Sequence, residues 1–195
     1  MGTITKQPEY AIRDTKKYIL DVARQLFSEY SYLGVSMNDI AKKLKITKAA
    51  LYYHFTGKAE VYGKVLDAVS DDLSLSIAKA LKETTTDKKL RRIVTNYLDF
   101  GFEEKNLIKA LILKLSPNNP QITKHITRLR ERVANLIHPV IKEVFANKKI
   151  IQKVDSRLLT FLLISMMDGL LLEYSFLNKK INSAKVSDQM IAVLF

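Results

Sequence analysis

Ile19, Val22, Ala23, Leu26, Phe27 and Tyr30 stand three or four residues apart. That spacing gathers them on one face of a helix with 3.6 residues per turn. It returns in Val61, Val65, Leu66, Val69, Leu73 and Ile77, and no run of residues reads as a strand. The chain is therefore expected to be all-α. Gly (6) and Pro (4) are scarce among its 195 residues, which favours helices over turn-rich β architectures. Apolar residues make up 47%, so global disorder is not expected.

Punctuation along the chain divides it. Residues 1–12 read as a polar, mobile lead-in, with a first helix from Arg13 to about Tyr30 and a loop at Gly34. Ser36-Met37-Asn38-Asp39 reads as a capping box that starts a short helix, Met37 to Leu44. Lys45-Ile46 is a short connection, and Thr47 is an N-cap for a third helix from Lys48 to Tyr53 or Phe55. Further helices are expected at Lys58–Leu81, Lys88–Phe102, Lys105–Leu115, Pro120–Phe145 (disturbed at His138-Pro139), Asp155–Phe176 and Val186–Phe195.

The formal net charge is +12, which draws a chain toward nucleic acid, anionic membrane or acidic ligands. Its distribution does not locate a site. Residues 1–60 carry 10 basic and 6 acidic side chains, and residues 61–195 carry 22 and 14. Segment 120–153, with 8 basic and 2 acidic residues, could tune a pocket for an anion or simply be solvated. With no cysteine, disulfides and Cys-ligated zinc are excluded. His125 and His138 have no accompanying carboxylate cluster, so neither a metal nor a cofactor is expected. No nucleophile elbow, phosphate loop or HExxH is present, so the chain is not read as an enzyme. The N-terminus lacks the apolar core of a secretory signal. The apolar stretch Leu158–Leu172, interrupted by Asp168-Gly169, reads as too short for a membrane span. A cytoplasmic location without a membrane partner is expected.

A long helix bracing two short ones across a tight turn is the layout of a helix-turn-helix. Ile46 and Leu51 are expected to anchor the third helix to Ile40 and Phe27, leaving Lys48, Ala49, Ala50 and Tyr52 outward. Several strings then stand together: Leu26-Phe27, Ser36-Met37-Asn38-Asp39-Ile40-Ala41, Ile46-Thr47-Lys48, Leu51-Tyr52-Tyr53-His54-Phe55, and Lys58. In combination they resemble the N-terminal signature of TetR-type regulators, over roughly residues 13–62. Ser31 and Lys45 stand where that family usually has Gly, and Ala49 replaces a frequent Gly.

The resemblance implies a three-helix DNA-binding domain over 1–57 and a helical ligand-binding and dimerisation domain over 58–195. Lys48, Ala49 and Ala50 would face base edges, where Lys can donate to guanine and Ala methyls can meet thymine methyls. Asn38, Thr47, Tyr52, Tyr53, His54 and Lys58 would meet phosphates. Tyr53 and Phe55 are also candidates for core. The expected partners are a palindromic double-stranded operator, a second copy of the chain and an unidentified small-molecule effector. The function implied is that of a repressor released by an apolar or amphipathic ligand. The alternative is release by a protein partner, which a tightly filled core would favour. Candidate ligand contacts are Tyr62, Tyr97, Phe100, Leu111 and Ile126. Because Leu158–Leu172 is apolar all round, one face is expected to meet a partner subunit, with Thr160, Leu163, Met167, Leu171 and Tyr174 as the interface stripe. Asp168 is expected to cap or pair locally, and Gly169 to permit close helix approach.

Overall fold

The computed structural model describes residues 9–112, 119–146, 155–177 and 179–194, with side chains from residue 15 to 109 in the first of these and to 193 in the last. Among the described residues the chain is all-α. The helices are α1 (Glu9–Tyr30), α2 (Met37–Leu44), α3 (Lys48–His54), α4 (Lys58–Ala80), α5 (Thr86–Glu103), α6 (Lys105–Ile112), α7 (Pro120–Ala146), α8 (Ser156–Phe176) and α9 (Ser183–Leu194). The order and type of the expected elements hold, while several ends move. Helix α1 begins at Glu9, so the expected lead-in is partly helical; residues 1–8 lie outside the described part. Helix α7 runs unbroken through Pro139.

The caps explain most boundaries. The Thr85 hydroxyl accepts from the Lys88 N–H at 3.3 Å, which starts α5 two residues ahead of Lys88. The Asn182 side chain accepts from the Lys185 N–H at 3.0 Å and so starts α9 at Ser183 rather than Val186. Each cap satisfies a donor that the first helical turn leaves without an intrahelical partner.

Helices α1 to α3 form the head. Helix α4 packs on α1 below it and on α5 and α7 behind it, while α8 lies on α7 and α9 on α5. Buried side chains from Ile19 to Ile191 make one continuous core, so no break divides head from body. Phe27, Tyr32 and Tyr62 are the hinge of this packing, with the Tyr62 ring edge-on to Phe27 (4.9 Å) and to Tyr32 (4.8 Å). Aromatic pairs in that geometry add about 0.5–1.5 kcal/mol beyond area burial.

Helix α8 is, among the described residues, the one helix long and apolar enough to cross a membrane by length and composition. The stretch expected to be too short is thus long enough once its flanking residues are helical. Its inner face packs on α5, α6 and α7, with the Asp168 carboxylate buried there.

Candidate nucleic-acid interface

The head presents α3, and two caps fix how. At the start of α2 the Asp39 N–H donates to Ser36 Oγ (3.2 Å), while the Ser36 N–H donates to Asp39 Oδ2 (2.9 Å). This is the expected capping box. The Ser36 hydroxyl also donates to Oδ2 at 2.6 Å, and these donors hold the Asp39 carboxyl below the usual carboxylate range. At the start of α3 the Ala50 N–H donates to Thr47 Oγ1 at 3.1 Å. Between the caps Lys45 closes α2 in the left-handed conformation (φ 56°, ψ 37°), its N–H reaching the Ala41 and Lys42 carbonyls. Ser31, after α1, is also left-handed (φ 62°). Among the described residues these are the two non-glycines at positive φ. They are the two loop positions where the chain carries a side chain in place of the family's usual glycine. Both residues bear the strain of that conformation, roughly 1–2 kcal/mol per residue.

Within α3 the sequence pattern sorts as its amphipathicity demands. Leu51 is fully buried and Phe55, at the C-cap, is 4% exposed, so the pair pins the helix to the head. Lys48, Ala49, Ala50, Tyr52 and Tyr53 are exposed, as are Asn38 and Thr47 just ahead of them. Tyr53 is 79% exposed, which removes it from the core. His54 is half-buried and edge-on to the Tyr53 ring at 5.2 Å. Ile46, expected as an anchor, is 37% exposed, and Phe55 takes its place beside Leu51.

Lys58 departs from its expected role. Its Nζ donates to the carbonyls of Tyr32 and Val35, both at 2.9 Å, and lies over the Tyr32 ring at 4.2 Å. Burial lowers its pKa. The ammonium thus closes the loop between α1 and α2 instead of pointing to a phosphate. Sequence reasoning missed this because the acceptors lie more than twenty residues away and are backbone atoms.

It missed the link between head and body because those partners, too, lie far apart along the chain. Arg24 of α1 donates to Glu104 (Nε to Oε1, 2.9 Å) and to Asp72 (Nη1 to Oδ2, 2.5 Å), and the Asn106 amide donates to the Ser28 carbonyl. Helix α1 is therefore tied to the turn between α5 and α6.

The candidate ligand residues do not converge. Tyr62 belongs to the aromatic hinge under the head. Tyr97 is buried and donates its hydroxyl to Asp168 Oδ1 at 2.6 Å, while Arg130 Nη2 donates to Asp168 Oδ2 at 2.7 Å. Burial and the nearby carboxylate raise the Tyr97 pKa well above the usual value. Asp168 thus pairs across three helices, not locally. The cavity that Tyr97 helps line measures about 40 Å³, room for about one water and not for a ligand. Phe100 and Ile126 are half-buried at the edge of the core, and the Leu111 side chain lies outside the described residues. A cleft of about 560 Å³ opens elsewhere, at the turn between α5 and α6, with Phe102 and Tyr174 on its walls.

The expected dimer stripe is also reversed. Thr160, Leu163 and Met167 are fully buried inside the subunit and Leu171 is 5% exposed, while Tyr174 is half-buried, edge-on to Phe102. The opposite face of α8 is open: Leu158 (51% exposed), Phe161 (47%), Leu162 (46%) and Phe176 (60%), with Gly169 among them. A Cβ on Gly169 would meet nothing, so this glycine serves no contact within the subunit. Close approach falls to Gly101 instead, where a Cβ would lie 2.3 Å from Leu171 Cδ1.

Capped short helices, an exposed α3 and a helical body define a helix-turn-helix protein. Residues 19–65 match the pattern of bacterial regulatory proteins of the tetR family, so this part of the chain carries a TetR-type helix-turn-helix. It is 26% identical over 131 residues to the HTH-type transcriptional activator FasR of Mycolicibacterium smegmatis, covering 66% of this chain and 60% of that one. It is 31% identical over 106 residues to IcaR, the HTH-type negative transcriptional regulator of the biofilm operon icaADBC in Staphylococcus aureus, covering 54% and 55%. The chain thus spans a little over half the length of these curated relatives. Its fold is similar to that of the transcriptional regulator FadR from Bacillus subtilis, solved in complex with stearoyl-CoA (TM-score 0.77, 17% identity, 91% of this chain and 96% of that one).

Proposed function

We propose that the chain is a homodimeric DNA-binding repressor whose grip is released by a small amphipathic ligand, with residues 1–57 as reading head and 58–195 as sensing and dimerising body. The exposed outer face of α3 carries this reading. Lys48, Ala49 and Ala50 stand at the N-terminal end of a helix short enough to enter the major groove. Asn38, Thr47, Tyr52 and Tyr53 flank it with donors for phosphate. His54 is proposed as a lesser contact because of its burial, and Lys58 no longer as one.

One short helix reads few base pairs, so two heads on one support are needed, about 34–36 Å apart or a multiple of that. The open stripe of α8 around Leu162 supplies the support, as four large apolar side chains left in water are otherwise costly. Helix α9 adds Val193, which is 79% exposed. The ligand reading draws on the 560 Å³ cleft, within the usual range for small-molecule sites, and on the stearoyl-CoA that accompanies a protein of similar fold. The filled interior around Tyr97 favours the alternative, release by a protein partner.

The test begins with duplexes selected from random DNA. Lys48→Ala should change which sequence is preferred, and Tyr53→Ala should weaken all duplexes alike. Unchanged binding by both variants would remove α3 from the interface. Light scattering on Leu162→Glu should show a monomer with diminished operator affinity; a dimer that still binds would place the interface elsewhere. A reporter gene behind the selected site decides between repression and activation.

A further inference from the structure

The 560 Å³ cleft has a chemistry of its own. One wall is apolar: Phe102 and Tyr174, edge-on at 6.4 Å, with Ile181 beside them. The other is the amino-terminal end of α9. There Ser183 is 6% exposed, and its hydroxyl oxygen is buried without a hydrogen-bond partner among the described residues. A buried hydroxyl with no partner is uncommon in a folded protein and calls for a cause. Here the residue lines a cleft at a helix N-terminus, where N–H groups and the helix dipole favour negative charge. Lys179 and Lys180 lead into the same helix end, both exposed and both lining the cleft. Lys105 joins them from the start of α6.

Two carboxylates also line the cleft, Asp99 and Glu103, both on α5. They leave the side chains with a small positive balance and, more usefully, a direction. An anion is repelled from the α5 side and drawn to α9, while an aliphatic chain finds Phe102, Tyr174 and Ile181 between the two.

We infer that this cleft binds an amphipathic anion, its carboxylate or phosphate head on Ser183 and the lysines at the start of α9 and its apolar tail on Phe102, Tyr174 and Ile181. The inference rests on the reading that a small ligand controls the chain and names that ligand's class. It also gives the ligand a lever. Phe102, Glu103 and Lys105 flank Glu104 and Asn106, the two residues that hold α1 through Arg24 and the Ser28 carbonyl.

Titration calorimetry with dodecanoate, dodecyl phosphate and dodecanol, below their aggregation limits, tests it. At least one anion should bind about tenfold more tightly than the alcohol, a difference of roughly 1.4 kcal/mol. The tighter of the two anions identifies the head as carboxylate or phosphate. Ser183→Ala should weaken the anion several-fold without lowering the melting temperature, because the hydroxyl it removes bonds to nothing among the described residues. The double variant Lys179→Gln/Lys180→Gln should weaken it further and flatten its salt dependence. Equal affinity for the alcohol, no anion binding, or anion affinity unchanged in both variants would overturn the assignment. Release of operator DNA is scored separately. Variant-sensitive binding without release keeps the site and defeats control by ligand. Release that both variants leave intact keeps control by ligand and defeats this site.

Discussion

Replacing Asp168 should unsettle the body of the protein by an amount its geometry sets. Asp168 is 4% exposed and accepts from Tyr97 on α5 and from Arg130 on α7. In Asp168→Leu both donors lose their acceptor. Arg130, whose side chain is 43% exposed, can turn to water. Tyr97, 7% exposed, cannot. Removing one partner of a well-buried ion pair costs about 3–5 kcal/mol, and the exposure of Arg130 puts this case near the lower end. Tyr97→Phe alone should cost about 1–2 kcal/mol, the loss of one hydrogen bond to a charged group. Added to Asp168→Leu, it should cost little more, because the orphaned hydroxyl goes with it. The cycle should therefore show a coupling of about 1–2 kcal/mol. The assay is urea unfolding followed by circular dichroism at one fixed subunit concentration, since association shifts apparent stability. In a thermal scan, at about 2–4 °C per kcal/mol for a chain of this size, Asp168→Leu should lower the melting temperature by roughly 6–12 °C. A cost below about 1 kcal/mol, or costs that simply add, would refute the view that the three groups act as a unit.

Other expectations follow from single positions. Ser36→Ala removes the capping box and should cost about 1 kcal/mol in urea unfolding; no change would mean that α2 is held by packing alone. Ser36 holds the Asp39 carboxyl low, and the Thr56 N–H and hydroxyl do the same for Glu60. Folded pKa values below the unfolded ones give stability that is present above the ordinary carboxyl range and lost as pH falls through the folded values. The urea midpoint should then hold steady from neutral pH to about 5 and fall below about 4; a steady midpoint there would contradict these bonds. Lys45→Gly should stabilise by up to about 1 kcal/mol by relieving the left-handed residue, and a loss in urea would show that the lysine makes a compensating contact. Gly101→Ala should cost about 1–3 kcal/mol by driving a Cβ into Leu171, whereas Gly169→Ala should leave the fold unchanged; equal effects in thermal unfolding would contradict the packing of α8 on α5.

The head was legible because its determinants are local. Ser36 with Asp39, and Thr47 with Ala50, are bonded across three residues, and Leu51 alone in α3 sits on the buried face. A reader of the sequence meets those partners side by side. Lys58, Arg24 and Tyr97 are different. Each was visible as a residue type, but its partner is an atom brought near by the fold: a carbonyl of Val35, a carboxylate of Glu104, a carboxylate of Asp168. Spacing carries no information about such pairs. The cleft escaped for a related reason, since its walls come from α5, the end of α8 and the start of α9, the first and last about eighty residues apart along the chain.

Helix α8 shows where periodicity stops being enough. An apolar helix must be covered on every side, and from that alone the need for a second surface follows. Two stripes compete for the inner position, one through Thr160, Met167 and Leu171, the other through Leu158, Leu162 and Phe176. Hydrophobicity cannot rank them, since both are apolar. A polar group can. Asp168 stands four residues after Ile164 and three before Leu171, both buried, so it shares their face. A carboxylate on a face turned toward a two-fold partner would meet its own symmetry mate's carboxylate, and like charges brought together out of water repel. Within the subunit it meets Arg130 and Tyr97 instead. The one charged residue in the apolar stretch therefore marks the inner stripe. It leaves Leu158, Leu162 and Phe176, with Gly169 between them offering no side chain to obstruct another helix, as the surface proposed above for a second copy of the chain.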